Sequence, residues 1–412
     1  MSRAFARIRD RTAVFGNARY RLLFTATLGS GVGTYAATIA LTADIASRTH
    51  STWWVALLYV VTFLPSIVVG LVIGPLIDRL SRKMLIVASD VVRLGVFVVL
   101  PFAEHPAPMI VLATAAGIAN SFFRPAVLAG VPNLVDEEEL DAATTLLQGT
   151  DWLAVAIGPV IAGTLVSLSG ADLVYWLNAA TFLLSAILIV RIPGRLLQSA
   201  QGVTRGHWRD LRDGFAAFRS STALRVALYG LGLTMIATGL VNVSEFFLAK
   251  RSLGTGAFGF GLLWTGSGVG LVAGSIVVGF LLRRRNVLDL YMYAFVPLTI
   301  GIIGAAAAPT IWIAAAAMVV TGFGDGLAFP MTILIVQRYT SDHLRGRAFT
   351  VIISIHNAML GVGMVAAGAL TEGVGPRWTY ITAATCTAGS ALVVGALLRD
   401  RSSHAVPREA PA

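Results

Sequence analysis

The sequence predicts an all-α polytopic membrane protein, with twelve transmembrane helices in two pseudo-symmetric bundles of six. Three observations carry this. Of 412 residues, 56% are hydrophobic and only 13% are charged, against about 25% charged in a soluble globular domain, and mean hydropathy is +0.77. The apolar residues are gathered in blocks of about 20, the length that crosses a bilayer core as helix. Lys and Arg are concentrated in alternate connections between those blocks. A soluble enzyme and a disordered chain are both excluded by this composition.

The elements follow in order. Residues 1–21 form a basic lead with six arginines. The apolar run after it has no small-residue cleavage site, so it is expected to be retained as the first span. Six spans are expected near 22–46, 53–77, 84–102, 107–130, 146–168 and 173–192, making an N-terminal bundle over 22–192. The only long connection is 193–222. Within it Trp208, Leu211, Phe215 and Phe218 recur every three or four residues among arginines, the pattern of an amphipathic helix lying on headgroups. Six more spans, near 225–248, 257–282, 288–308, 310–336, 348–371 and 377–398, make a second bundle over 223–398, followed by a tail at 399–412. Strands are excluded because the runs are too long and lack alternation.

An even number of spans puts both termini on one side. On that side lie 25 of the 31 Lys and Arg residues: six in the lead, seven in the central connection and at the span ends that flank it (Arg191 to Arg225), and three each in loops 2–3, 8–9 and 10–11 and in the tail. The opposite side has four: Arg48, Lys250, Arg251 and Arg377. The positive-inside rule then places both termini in the cytoplasm. Lys occurs only at 83 and 250, and Ala, Gly and Val are abundant, as in a GC-rich bacterial genome. The expected location is therefore a bacterial plasma (inner) membrane. The net charge of +10 does not point to nucleic acid, because no basic domain lies outside the spans. The single cysteine, Cys386, rules out an intrachain disulfide and cysteine-based metal sites. The expected partners are the lipid bilayer and a small-molecule substrate, with the chain acting as a monomer.

Loop 2–3 reads Gly74-Pro-Leu-Ile-Asp78-Arg79-Leu-Ser-Arg82-Lys83. Gly74 permits close helix approach, Asp78 can meet a helix N-terminus or an arginine, and Arg79, Arg82 and Lys83 hold the loop on the cytoplasmic side. The loop resembles the signature loop of the major facilitator superfamily, with Ser81 where that family usually has glycine. The resemblance implies that it latches the two halves in the outward-open state. An echo without the aspartate, Gly279-Phe-Leu-Leu-Arg283-Arg-Arg, follows span 8. Four further stretches resemble the drug:proton antiporter-3 branch, which includes macrolide and enterobactin exporters. They are Asp90-Val-Val-Arg93, Asn120-Ser-Phe-Phe-Arg-Pro125, Asn178-Ala-Ala-Thr-Phe182 and Leu344-Arg-Gly-Arg347. Gly149, Gly158-Pro159 and Gly163 in span 5 partly resemble the Gly/Pro-rich motif of drug/proton antiporters. Read from the residues alone, they are small-residue packing with a kink at Gly158-Pro159. Span 4 lacks the mid-helix Arg-x-x-Gln-Gly of many antiporters, and Arg124, near its cytoplasmic end, is not given that role.

A charged side chain at the centre of a span costs roughly 2.5–3.5 kcal/mol on insertion scales. Asp90 and Arg93, three apart on one helix face, are expected to form a structural ion pair. Glu245 follows Asn242-Val-Ser244 and has no basic residue at i−3 or i−4. It is a candidate proton or cationic-substrate site, the alternative being a residue paired with Lys250 or Arg251. Asp325, within Gly322-Phe-Gly324-Asp325-Gly326, is a candidate cavity residue or a polar interhelix contact. Asp44, His356 and Asn357 complete the candidates, with structural readings open for each. Tyr59, Phe63 and Trp264 fit a hydrophobic cavity or a lipid-facing surface, and spacing does not separate the two.

No nucleotide-binding motif, HExxH or nucleophile–base pair is present, so neither an ATP-driven pump nor an enzyme is expected. No cofactor is expected, a proton gradient being the energy source. The expected function is secondary transport, exporting hydrophobic or amphiphilic small molecules (drug, antibiotic or siderophore) by proton antiport. The rival reading is an uptake transporter or facilitator of the same fold.

Overall fold

The computed structural model describes residues 13–68, 81–194, 218, 221–340 and 342–403, all helical apart from short connections. Six helices precede the central connection: α1 (Ala18–Thr49), α2 (Thr52–Val68), α3 (Arg82–Val99), α4 (Pro106–Gly130), α5 (Leu140–Ser169) and α6 (Ala171–Val190). Six follow it: α7 (Thr222–Phe247), α8 (Gly256–Leu281), α9 (Val287–Ala307), α10 (Ile311–Tyr339), α11 (Asp342–Gly373) and α12 (Pro376–Ser403). Eleven are long and apolar enough to cross a membrane. The twelfth, α2, is apolar and runs up to the edge of the described residues. Of the amphipathic segment expected at 207–225, residues 207–217, 219 and 220 lie outside those described. The fold class is the one read from the sequence.

Helix ends are set by local chemistry. Asn17 opens α1, its side chain accepting from the backbone N–H of Arg19 at 2.9 Å and Tyr20 at 3.3 Å. Its amide donates to Leu134 O at 2.5 Å, fixing the lead against the α4–α5 connection. Pro106 opens α4, where no amide hydrogen is missed. α5 and α6 are separated by Gly170 alone, at φ +81°, a conformation open to glycine. Helices α1, α5 and α11 each extend beyond the expected apolar stretch, because their ends are capped or continue as polar turns outside the hydrocarbon.

The chain condenses into two compact units whose boundary does not follow chain order. The first holds α1–α6 together with Glu245–Gly268, the end of α7 and the first half of α8. In it α1 packs on α5 and α6, α3 on α4 and α6, and α2 on α4. The second holds the rest of α7 and α8 with α9–α12, and α9 packs on α10 and α12. In the second unit the crossings are made by bare backbone. A Cβ on Gly274 of α8 would lie 3.0 Å from Gly326 Cα of α10, and one on Gly270 would lie 2.7 Å from Phe323 N. A Cβ on Gly324 would lie 2.7 Å from Leu298 N of α9. With hydrocarbon outside as apolar as the interior, such close approach is what drives helix association. The outward surface is correspondingly greasy: Phe102 and Leu392 are over 70% exposed.

Between α7 and α8 the last turn of the seventh span widens into a π-helix, Leu248–Ser252. No spacing in the sequence signals it.

The glycine contacts yield a test with an internal control. Gly274→Val is expected to lose ~1–3 kcal/mol of stability through overpacking, read as a lowered melting temperature in detergent. Gly279→Ala, one to two turns along the same helix with nothing within 4 Å of its Cβ position, is expected to leave it unchanged or slightly raised.

Candidate functional site

Glu245 lies near the end of α7, at 2% exposure. Nearby, Phe246 and Phe260 pack edge to face at 5.6 Å, and Phe260 packs on Trp264 at 6.2 Å. The Trp264 indole adjoins the Glu245 carboxyl; Tyr59 of α2 and Thr42 of α1 are buried and line one cavity together. Glu245 Oε1, Trp264 Nε1, Tyr59 OH and Thr42 Oγ1 are all buried without a completed hydrogen bond. The two nearby cations are turned elsewhere. Lys250 Nζ lies 5.7 Å above the Phe246 ring, Arg251 Cζ 4.6 Å above Phe247, and Arg251 donates to His50 O at 3.1 Å. Pairing of Glu245 with Lys250 or Arg251 is therefore not what the structure has. Tyr59 is 2% exposed and so lies inside the protein rather than toward lipid, and Trp264 is half-buried.

A second polar centre lies deeper in the first unit. Arg93 Nη2 donates to Asp90 Oδ1 at 2.7 Å, with both side chains buried. Ser185 of α6 donates to Asp90 Oδ2 at 2.7 Å, and Arg93 Nη1 donates to Asn120 Oδ1 at 3.2 Å. The guanidinium is sandwiched between Phe123 and Phe182, with Cζ 4.2 and 4.3 Å from the two ring centroids. Each desolvated stack of this kind contributes about 2 kcal/mol. Three separate sequence stretches, beginning at Asp90, Asn120 and Asn178, thus meet at one guanidinium.

Two cavities flank this centre. One, of about 70 Å³, is mostly apolar and runs from Thr42, Tyr59 and Phe63 to Phe97, Phe182, Asn120 and Arg93. The other, of about 130 Å³, is more polar and includes Ser30, Tyr35, Arg124 and Asp151. Thr34, Arg93 and Asn120 belong to both. Arg124 forms an ion pair with Asp151 of α5. That pair escaped the sequence reading, although an acid within a span was signal enough.

The remaining candidates fall elsewhere. Asp44 accepts from Arg48 at 2.6 Å and from Tyr175 OH at 3.1 Å, while Arg48 also donates to Glu104 O, tying the ends of α1, α3 and α6 together. In the second unit Asp325 is half-buried between the two glycines that hold α8 and α9. One turn on, Phe329 packs edge to face on His356 at 6.3 Å, and His356 and Asn357 are half-buried on α11. Gly158 and Pro159 mark a close crossing. A Cβ on Gly158 would lie 2.8 Å from Val32 O, and one on Gly261 would lie 3.0 Å from Pro159 C. Of the signature loop, Gly74, Asp78 and Arg79 lie outside the described residues. Arg82 donates to Ala129 O at 2.6 Å, and Lys83 donates to Val190 O and Ile192 O at 2.7 Å. These cations cap the C-terminal ends of α4 and α6, where the helix dipole favours positive charge.

Eleven described helices long and apolar enough to cross a membrane, with a twelfth apolar one at the edge of the described residues, fit a major facilitator transporter. Solved structures agree on the fold: the nucleoside transporter NupG (TM-score 0.70, 16% identity, covering 93% of this chain and 99% of that one) and a bacterial homologue of the human lysosomal transporter Spinster (TM-score 0.71, 13% identity, 93% and 97%). The chain belongs to the transmembrane secretion effector family of that superfamily, whose model matches residues 11–409. Among its curated relatives are the enterobactin exporter EntS of Citrobacter koseri, 27% identical over 95% of each chain, and the multidrug efflux pump Tap of Mycolicibacterium fortuitum, 23% identical over 87% of this chain and 91% of that one.

Removing either member of the Asp90–Arg93 pair leaves a buried charge without its partner. Asp90→Ala and Arg93→Ala are each expected to lose ~3–5 kcal/mol, measured as melting temperature in detergent. The double variant is expected to lose less than the two singles together.

Proposed function

We propose that this protein is a secondary active exporter that moves hydrophobic or amphiphilic small molecules out of a bacterial cell in exchange for protons. The reading rests on Glu245, a buried carboxyl with an unpartnered oxygen and no ion-pair partner among the described residues. A carboxyl group with no fixed counter-charge can alternate between a proton and a substrate group at moderate cost, which a salt-bridged one cannot. The apolar cavity walls favour greasy substrates, in keeping with relatives named as siderophore and multidrug exporters.

Energy for export comes from protons moving inward, about 2.3 kcal/mol per 100 mV of potential and about 1.4 kcal/mol per pH unit. Rocking of the two halves exposes the site to each side in turn, and the loop carrying Gly74, Asp78, Arg79, Arg82 and Lys83 latches one of those states. In this reading both termini face the cytoplasm, which the Lys and Arg distribution supports. Asp325, half-buried in the second unit, is the second proton-carrying candidate.

In everted vesicles given a panel of drugs and siderophores, accumulation is expected only under an imposed pH gradient. Glu245→Gln and Asp325→Asn are expected to lower gradient-driven accumulation at least tenfold with insertion intact. Wild-type rates in both would sink the proposal, and uptake in the opposite direction would select an importer. Asp78→Asn is expected to slow turnover several-fold, read alongside cross-linking between loops 2–3 and 10–11. Unchanged cross-linking kinetics would remove the latch.

A further inference from the structure

The two ion pairs that face the cavities of the first unit are built to opposite standards. Asp90 and Arg93 are 0% and 3% exposed, and they are held by each other, by Ser185 and Asn120 and by two aromatic faces. Arg124 of α4 and Asp151 of α5 are 47% and 26% exposed, and among the described residues neither has another hydrogen-bond or ion-pair partner. A partly exposed pair with a single contact is worth little to stability, yet each charge within a span is costly to place. This pair lines the 130 Å³ cavity, together with the face of α1 that carries Thr27, Ser30 and Thr34. Those three donate their hydroxyl hydrogens to Leu23 O, Thr27 O and Ser30 O, which leaves oxygen lone pairs as acceptors. The cavity therefore offers a guanidinium to a carboxylate, and a carboxylate with hydroxyl oxygens on the same wall to an ammonium with its three N–H donors. Its third charged residue, Arg93, is already neutralised by Asp90. With that charge met the wall sums to zero, so a ligand with net charge would leave one charge uncompensated, and a zwitterion leaves none. Thr34, Arg93 and Asn120 also line the 70 Å³ apolar cavity, which can receive an apolar group attached to such a head. An apolar cavity of about 150 Å³ accepts benzene, and by that scale the polar cavity holds a head of about five heavy atoms and the apolar one a side chain of about three or four carbons.

We propose that the Arg124–Asp151 pair is the receptor for a zwitterionic head group, the ammonium and carboxylate of an amino-acid-like ligand whose small apolar side chain enters the neighbouring cavity. The pair opens to take the ligand, Arg124 meeting its carboxylate and Asp151 its ammonium, and closes on itself when the ligand leaves. Occupied or empty, the site carries no net charge, which keeps the cost of its burial within a span low in both states. The inference rests on the export reading in one respect, that the ligand is cargo, and it gives the amphiphilic substrate class its polar end.

Calorimetric titration of the full-length protein in detergent decides it, with three probes of one skeleton: L-leucine, isocaproate, which lacks the ammonium, and isoamylamine, which lacks the carboxylate. Wild type is expected to bind leucine at least about tenfold more tightly than either of the others. In Arg124→Gln leucine is expected to weaken about tenfold or more, with isoamylamine becoming the preferred probe, because the free Asp151 now selects a cation. In Asp151→Asn isocaproate takes that place. Melting temperatures of both variants are expected to stay close to wild type, since the pair is partly exposed. Three probes bound alike by wild type, no leucine binding, or wild-type leucine affinity in either variant would each overturn the site. The comparison of probes on wild type needs no variant, so a misfolded variant cannot hide the answer. Leucine binding without gradient-driven accumulation in everted vesicles overturns the export reading and upholds the site, whereas export of other compounds with no leucine binding sinks the site alone.

Discussion

In hydrocarbon a polar group has no water to fall back on, and each one must find its partner within the protein. The arrangement of the first unit follows from this constraint. Threonine and serine hydroxyls along α1 bond back to carbonyls of their own helix: Thr27 to Leu23, Thr34 to Ser30, Thr38 to Thr34. Arg93, which has no such local remedy, draws in a carboxylate, an amide and two aromatic faces from α3, α4 and α6. Basic residues at the rim close helix ends that would otherwise leave carbonyls bare. Lys83 does so for α6, and in the second unit Arg377 donates to Ala306 O at 2.6 Å and to Ala308 O at 2.8 Å. Some buried polar atoms among the described residues have no hydrogen-bond partner, in both units. Glu245, a buried carboxyl beside the Trp264 indole, is one of them, and that is where the functional reading concentrates.

Much of the fold was legible because the bilayer enforces it. A block of about 20 apolar residues has one stable form there, and the spacing of Asp90 and Arg93 alone puts them on one helix face. What spacing does not carry is convergence across the chain. Nothing in the run around Ser185 marks it as the second donor to Asp90. The glycines were read as packing residues, yet which helices they admit depends on crossings that only the three-dimensional arrangement fixes. Helix ends were short in the reading because capped polar turns carry no hydropathy signal. Asp151 was the avoidable omission, since its cost within a span is the same as that of the acids that were weighed.

The chain-order division at 193–222 and the spatial division differ in substance. The end of α7, its π turn and the first half of α8 condense with the first six helices, so Glu245 and Trp264 belong to the first unit. That unit is therefore built from both sequence halves.

The bare-backbone crossings of the second unit have a consequence for how such a protein tolerates change. Where main chain rests on main chain, at Gly274 against Gly326 or Gly239 against Gly363, there is no side chain to trim or swap, and even a single methyl group is an obstruction. On the exposed faces that carry Leu392 and Phe102, one greasy residue serves as well as another. Genetic drift is steered to the periphery, so that distant cousins can share a skeleton while their skins have become unrecognisable.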